Sequence, residues 1–284
     1  MTAQSYSSPT AFRQALEGRL ANMAKREGVD VQRLRRQAAF DRLLARLFAD
    51  PVSIWILKGG YAMELRLATS RTTRDIDLMT RQLPRGEAPL IGRLLQCLQD
   101  AAATDLGDCF VFAIGEAMMD LDAAPYGGAR FPVEARMDGR TFARFHIDVG
   151  AGDPVLEPLD QVQGKDWLNF AGIPTLSVTM ISKEQQFAEK LHAYSLPRTG
   201  VPNTRVRDLL DMLLLLQSGL ELARTREAIQ SIFERRKTHS PPKEFPSPPE
   251  SWAAPFAAIA KECRAEMSIA FAVHEIARFY NGLA

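Results

Sequence analysis

The sequence predicts an α+β protein, with a mixed or antiparallel sheet in the middle of the chain and helices before and after it. Three observations carry that class. Residues 8–50 and the stretch after Ser182 repeat apolar side chains at helical spacing. Between them lie short β-branched or aromatic runs such as VSIWIL at 52–57. Two of these runs, at 130–137 and 140–149, are joined by Asp138-Gly139, a strong signal for a two-residue hairpin.

Each element has a local cause. Ser8 ahead of Pro9 offers an N-cap followed by a residue suited to the first helical position, and Phe12, Leu16 and Leu20 continue the helix. A second helix is expected over 31–48 on Leu34, Phe40, Leu43, Leu44 and Leu47. The strand at 52–57 is broken by Lys58-Gly59-Gly60, and YAMELRL at 61–67 reads as a helix that starts directly at the glycines. Strands are expected at 74–79 (RDIDLM) and 109–119, with a helix at 86–103 between them. Residues 154–172 read as loop and 173–179 as one more extended piece. Ser182 with Gln185 fits a capping box, and the chain is then helical nearly to its end. The interruption is SPPKEFPSPP at 240–249, five prolines in ten residues, which forces an extended loop. The expected organisation is N-terminal helices over 1–50 packed on a core at 51–180, then a helical C-terminal domain at 181–284.

The 284 residues are 46% hydrophobic and 24% charged, a globular composition that excludes disordered and fibrous classes. Thirty-five basic against 34 acidic side chains give a net charge of +1, so no bulk attraction to nucleic acid or lipid is built in. Cys97, Cys109 and Cys263 are far apart and form no CxxC, which points away from a disulfide scaffold and toward a reducing compartment. No run approaches the roughly 20 apolar residues of a membrane helix, and the first residues lack an apolar signal core. A cytoplasmic protein without membrane contact is the expectation. Residues 11–50 hold nine Lys/Arg against five Asp/Glu. That local excess is either a solvated helical face or a nucleic-acid contact surface.

The chemistry concentrates in a few places. Gly59-Gly60 between a strand and a helix lets backbone N–H groups approach an anion, although a plain strand–helix turn has the same residues. Asp75-Ile76-Asp77 follows fifteen residues later. Two carboxylates two apart on a strand share a face, roughly 6–7 Å apart. Such a pair suits Mg²⁺ with substrate phosphates, or else marks a solvated strand edge. Asp148 in FHIDV sits where aspartate is disfavoured, so it either shares a metal with Asp75 and Asp77 or starts a turn. Arg71 and Arg74 flank the acidic pair and are placed to grip a triphosphate or to face solvent. The four histidines show no zinc-ligand spacing.

Four stretches in order, GGYAMELRL–RTTRDIDLM, FHIDVGAGDPV, AEKLHAY and RVRDLLDM, resemble the AbiEii/AbiGii (MenT-like) toxin family. That family belongs to the DNA polymerase β-like nucleotidyltransferase superfamily, and the resemblance runs from about residue 55 to about residue 216. It implies a polymerase β-like mixed sheet with flanking helices and makes 51–180 the nucleotidyltransferase core. The superfamily pattern has Gly-Ser where this chain has Gly59-Gly60, so backbone N–H groups would have to bind phosphate without a hydroxyl. On local grounds Lys190 either snorkels or points inward as a cation; the resemblance makes it the lysine that holds the nucleotide's phosphates. Asp208 and Asp211 lie on a nearly all-apolar helix and want cationic partners, Lys190 among them. The resemblance places one of the two in the catalytic set, with Asp208 preferred over Asp211.

The resemblance therefore implies a metal-dependent nucleotidyltransferase acting on a nucleoside triphosphate (NTP). Asp75, Asp77 and Asp148 would hold Mg²⁺ (or Mn²⁺ in its place), and Gly59, Gly60, Arg74 and Lys190 would line the nucleotide. Asp148 would also help deprotonate the acceptor. It further implies the toxin of a bacterial toxin–antitoxin pair, with a cognate antitoxin protein as partner and a tRNA 3′ end as acceptor. The N-terminal helices and Arg235-Arg236-Lys237 are the expected positive surface for that RNA. Two alternatives stay open: transfer of a nucleotidyl or phosphoryl group to Ser/Thr of a protein such as the antitoxin, and a catalytically silent binding module.

Overall fold

The computed structural model describes residue 6 and residues 8–67, 72–121, 124–198, 200–263 and 267–283. Arg71 lies outside them. The chain divides into two compact units. The first is Met1–Leu57, Arg74–Gly152 and Gln161–Met180; the second is Lys58–Thr73, Asp153–Asp160 and Ile181–Ala284. Each unit is assembled from three separate segments, which cuts across the contiguous division at 50 and 180.

The first unit opens with helices α1 (Pro9–Glu27) and α2 (Val31–Leu47). Ser8 Oγ caps α1 by accepting from Ala11 N at 3.2 Å, and Gly28, left-handed at φ 66°, ends it. Strands β1 (Trp55–Lys58), β2 (Asp75–Thr80), β3 (Phe110–Ile114), β4 (Met119–Asp120), β5 (Gly128–Met137), β6 (Arg140–Gly150), β7 (Asp160–Gln163) and β8 (Ser177–Met180) form one sheet. Its order is β3-β5-β6-β2-β1-β8-β7, with β4 paired to β5. β2 runs parallel to β6 and β1 parallel to β8, whereas β3, β4 and β6 are antiparallel to β5, so the sheet is mixed as expected. The β5–β6 turn is the expected hairpin: Asp138 and Gly139 both have positive φ, 55° and 68°.

Three boundaries differ from the sequence expectation for identifiable reasons. The strand expected over 109–119 is two strands, because after Ile114 the partner residue is Pro132, which has no N–H to continue the ladder. Only its carbonyl is used, accepting from Gly115 N at 3.0 Å. β7 lies inside the stretch read as loop. Its sequence, DQVQ, has no apolar face to betray it, and it closes the sheet edge. The helix after β2 is α4 (Leu90–Ala102), starting later than residue 86 because Gly86 sits at φ 130° and Pro89 takes the N-cap.

One face of the sheet is apolar. Ile76, Leu78, Phe131, Ile147 and Val149 are fully buried, and Phe40 of α2 meets Phe145 of β6 edge to face at 4.7 Å. α1 clamps the hairpin: Arg13 donates to the carbonyls of Met137, Arg140 and Thr141, and Thr10 Oγ1 donates to Asp138 Oδ2 at 2.9 Å. Arg42 and Arg46 of α2 both close on Asp108, which is wholly buried, at 2.6 and 2.7 Å. Burial alone would raise the Asp108 carboxyl, but the two guanidiniums hold it below its ordinary range. Arg13, Arg42 and Arg46 are thus spent inside the fold. The basic excess of the N-terminal helices is correspondingly not a continuous surface.

The second unit is helical. α3 (Gly59–Arg66), α5 (Lys183–Ser195), α6 (Val206–Gln217), α7 (Leu222–Arg236), α8 (Ala253–Glu262) and α9 (Ile269–Asn281) enclose a core that includes Met63, Phe187, Leu191, Leu209, Leu213 and Ile232. Ser182 caps α5 as expected, its Oγ accepting from Gln185 N at 3.1 Å. Aromatic side chains pin the proline-rich loop. The rings of Tyr194 and Phe245 stack at 5.0 Å, and Tyr194 and Tyr280 donate their hydroxyls to the carbonyls of Pro246 and Pro242.

Replacing Asp108 by Ala leaves two buried guanidiniums without their carboxylate and is expected to cost about 3–5 kcal/mol, read by urea unfolding. A loss under 1 kcal/mol would show that the pair does not hold α2 to the sheet.

Candidate active site

The acidic residues meet through strand register. β2 and β6 are neighbours in parallel register, with Asp75 opposite His146 and Asp77 opposite Asp148. Paired residues in adjacent strands, spaced about 4.8 Å apart, project to the same side. Asp75, Asp77, His146 and Asp148 therefore share the sheet face opposite the buried Ile76, Leu78, Ile147 and Val149. Strand register thus puts three carboxylates that are distant in sequence on one face.

Two further residues join them. Arg130 of β5 stands opposite Asp148 and grips it with both prongs, Nε to Oδ1 and Nη2 to Oδ2 at 2.7 Å each. The same Nη2 lies 3.6 Å from Asp75 Oδ2. Hydrogen bonding to Asp148 raises the Arg130 guanidinium above its already high range, so its charge is permanent. His146 Nδ1 lies 3.3 Å from Asp75 Oδ1. Among the described residues, no three His, Cys, Asp or Glu side chains form a ready-made metal cage. The donor set itself, three carboxylates on one face, suits a hard divalent cation. Beside it opens a groove of about 760 Å³ lined by Arg36, Arg74, Asp75, Arg130, Arg144 and His146. Arg74 and Asp75 thus line the same groove.

In the second unit lie Gly59, Gly60, Lys190, Asp208 and Asp211. α3 begins at Gly59, as the break after β1 suggests, and Gly59 is left-handed at φ 65°. Its carbonyl accepts from Gln186 Nε2 at 2.7 Å. At Gly60 the constraint is space: a Cβ there would lie 2.6 Å from Thr73 Oγ1 and 2.9 Å from Thr73 Cβ. A serine at Gly60 would collide with Thr73, which accounts for the missing hydroxyl. Arg66 steadies the other end of α3, donating to Gln186 Oε1 at 2.5 Å and to Asp160 Oδ2 at 2.6 Å.

Lys190 points inward. Its Nζ donates to Asp211 Oδ2 at 2.7 Å and Asp208 Oδ1 at 3.2 Å, all three side chains being buried. Asp208, the less enclosed of the two, also has Arg205 at 3.6 Å. The internal salt bridge and the inward cation are thus the same arrangement.

Sequence reading passed over a second charged cluster, next to the glycines. Lys58 Nζ donates to Asp153 Oδ2 at 2.8 Å and Glu189 Oε2 at 3.2 Å, while Arg236 grips Asp153 at 2.9 and 3.0 Å. Burial works against the charge on Lys58, but Glu189 and Asp153 outweigh it and lift its pKa to about 12. Arg236 is consequently not part of a surface patch, which corrects the expectation for 235–237; Arg235 and Lys237 remain exposed. Nη1 of Arg236 lies 3.4 Å from His192 Nδ1. A guanidinium only donates, so His192 is neutral, with its proton on Nε2 toward Thr238 Oγ1 at 2.8 Å. Burial, then the Arg236 charge, pushes the His192 pKa down to about 4.

Comparison with known proteins decides the family. The model of the family described as "Nucleotidyl transferase AbiEii toxin, Type IV TA system" matches residues 42–272. The chain belongs to this family. The match spans Gly59, Gly60, Asp75, Asp77, Asp148, Lys190, Asp208 and Asp211, and makes the chain a nucleotidyltransferase of a toxin–antitoxin toxin family. Its fold is similar to that of MenT4, a nucleotidyltransferase toxin of Mycobacterium tuberculosis H37Rv, with a TM-score of 0.57 at 15% identity over 94% of this chain and 97% of that one. JHP933 of Helicobacter pylori aligns with a TM-score of 0.48 at 14% identity, covering 89% of this chain and 92% of that one. No curated protein matched the sequence. Among the described residues, no helix is long and apolar enough to cross a membrane.

Two outcomes follow from the geometry. Gly60→Ala is expected to lose about 1–3 kcal/mol of stability through the forced contact with Thr73, measurable by thermal unfolding. His192 has its folded pKa depressed from 6.5 to about 4. The folded state then binds fewer protons than the unfolded chain in that window, so stability drops as pH falls from 6.5 toward 4. Urea midpoints across that range should fall less steeply in His192→Gln, and parallel curves would remove the assignment.

Proposed function

We propose that this family member transfers a nucleotidyl group from an NTP to the 3′ end of a tRNA, with Mg²⁺ as cofactor, and that a cognate antitoxin protein restrains it in the cytoplasm. One observation carries the reading: Asp75, Asp77 and Asp148 share a sheet face through parallel register, beside a groove rich in arginine. Such a face gives a divalent cation hard oxygen ligands, and the groove gives a polyanion cationic walls.

Asp75, Asp77 and Asp148 would hold the cation. When bound, it would neutralise triphosphate charge and polarise the reacting phosphoryl group. Asp148 would also accept the proton of the acceptor hydroxyl as that oxygen bonds to the α-phosphorus and pyrophosphate leaves. Arg74 and the backbone N–H groups at Gly59 and Gly60 would bear on phosphate oxygens. Lys190 would supply positive charge to them, oriented by Asp211, with Asp208 the preferred catalytic partner.

The test is incubation of the protein with each labelled NTP, Mg²⁺ and total tRNA. Label is expected in RNA, and Asp77→Asn should cut incorporation at least about 100-fold, the scale of losing several kcal/mol of charge stabilisation. Label in a protein would move the acceptor to the antitoxin class. Undiminished labelling by Asp77→Asn would end the carboxylate reading.

A further inference from the structure

Arg130 occupies the position on which the carboxylate face converges. Its planar fork matches Asp148 oxygen for oxygen at 2.7 Å and extends to Asp75 at 3.6 Å. Both oxygens of Asp148 therefore face a cation that cannot lose its proton, in the bidentate geometry that makes such pairs strong. The next carboxylate along the same face of β5 is Glu134, and it is already engaged by Thr141, Arg136 and Arg144. β5 thus directs Arg130 to Asp148.

A carboxylate held this way cannot at the same time give both oxygens to a divalent ion. We infer that Arg130 is a built-in competitor for the metal: the divalent cation enters the acidic face by exchange for the guanidinium on Asp148. This rests on the metal reading above and adds a positioning residue to it. It gives the apo protein a charge-balanced face and makes bare divalent cations weak ligands. The displaced fork stays on the wall of the arginine-lined groove, where an anionic oxygen suits it. A phosphate that arrives with the metal supplies one, so metal and nucleotide would help each other to bind.

Binding of Mn²⁺ alone to the full chain, followed by electron paramagnetic resonance of the free ion, tests this without turnover. Arg130→Met should bind Mn²⁺ about tenfold more tightly than the unaltered protein, or better, because the bidentate competitor is gone. Arg130→Lys should fall between, since an ammonium keeps the charge and loses the fork. Arg144→Gln removes an equal charge from the same groove, but its Nη2 is on Glu134, and it should change affinity by no more than about twofold. If Arg130→Met gains no more than Arg144→Gln, or binds more weakly than the unaltered protein, exchange at Asp148 is overturned. Asp77→Asn separates the two levels. If it binds Mn²⁺ as well as the unaltered protein, the metal reading fails and the exchange with it. If it loses Mn²⁺ while Arg130→Met is unchanged, only the exchange fails.

Discussion

Three carboxylates on one face of a sheet repel one another, and the fold tolerates them because a guanidinium lies among them. Arg130 contacts Asp148 at 2.7 Å and approaches Asp75 at 3.6 Å. Placing a fixed cation on β5 offsets that repulsion, and on the exchange proposed above it must move whenever another cation is to be held. On the function proposed above, folding and chemistry draw on the same few oxygen atoms.

The second unit solves a related problem differently. Lys190 is shared by two aspartates from successive turns of α6, and Lys58 by an aspartate and a glutamate that also engage Arg236. In both clusters the charges are mostly enclosed and opposite in sign, so removing one member strands the others. Lys58 directly precedes Gly59, and the cluster around it fixes where the backbone enters the bend.

Much of the fold could be read from periodicity. The two N-terminal helices, the Asp138-Gly139 hairpin, the helix starting at the glycines and the apolar α6 all follow from local rules, and the shared face of Asp75 and Asp77 follows from strand alternation; Asp148 joins them through the parallel pairing of β2 with β6, which alternation does not give. Arg130 did not, for a definite reason. Counting back from the two-residue turn pairs Met137 with Arg140 and would set Ala129 opposite Asp148. A bulge between Ala135 and Arg136 shifts the register by one and brings Arg130 there instead. Its trace in the sequence is faint: Phe142 and Ala143 are consecutive apolar residues where alternation should hold. His146, two before Asp148 on the same strand, was legible by alternation alone. The cluster of Lys58, Asp153, Glu189 and Arg236 was not, since its members meet only through tertiary packing. β7 escaped because neither of its faces is apolar.

The interleaving of segments 58–73 and 153–160 into the helical unit has a consequence for synthesis. Lys58 and Glu189 are 131 positions apart, and Asp153 and Arg236 are 83 apart. On a ribosome the bend at Gly59 emerges long before the groups that neutralise the lysine beside it. The sheet's segments are all made by Met180, whereas the helical unit must wait for α7. Such long-range closure slows folding and favours completion after most of the polypeptide is out. A polypeptide released early would carry the acidic sheet face without the finished helical unit.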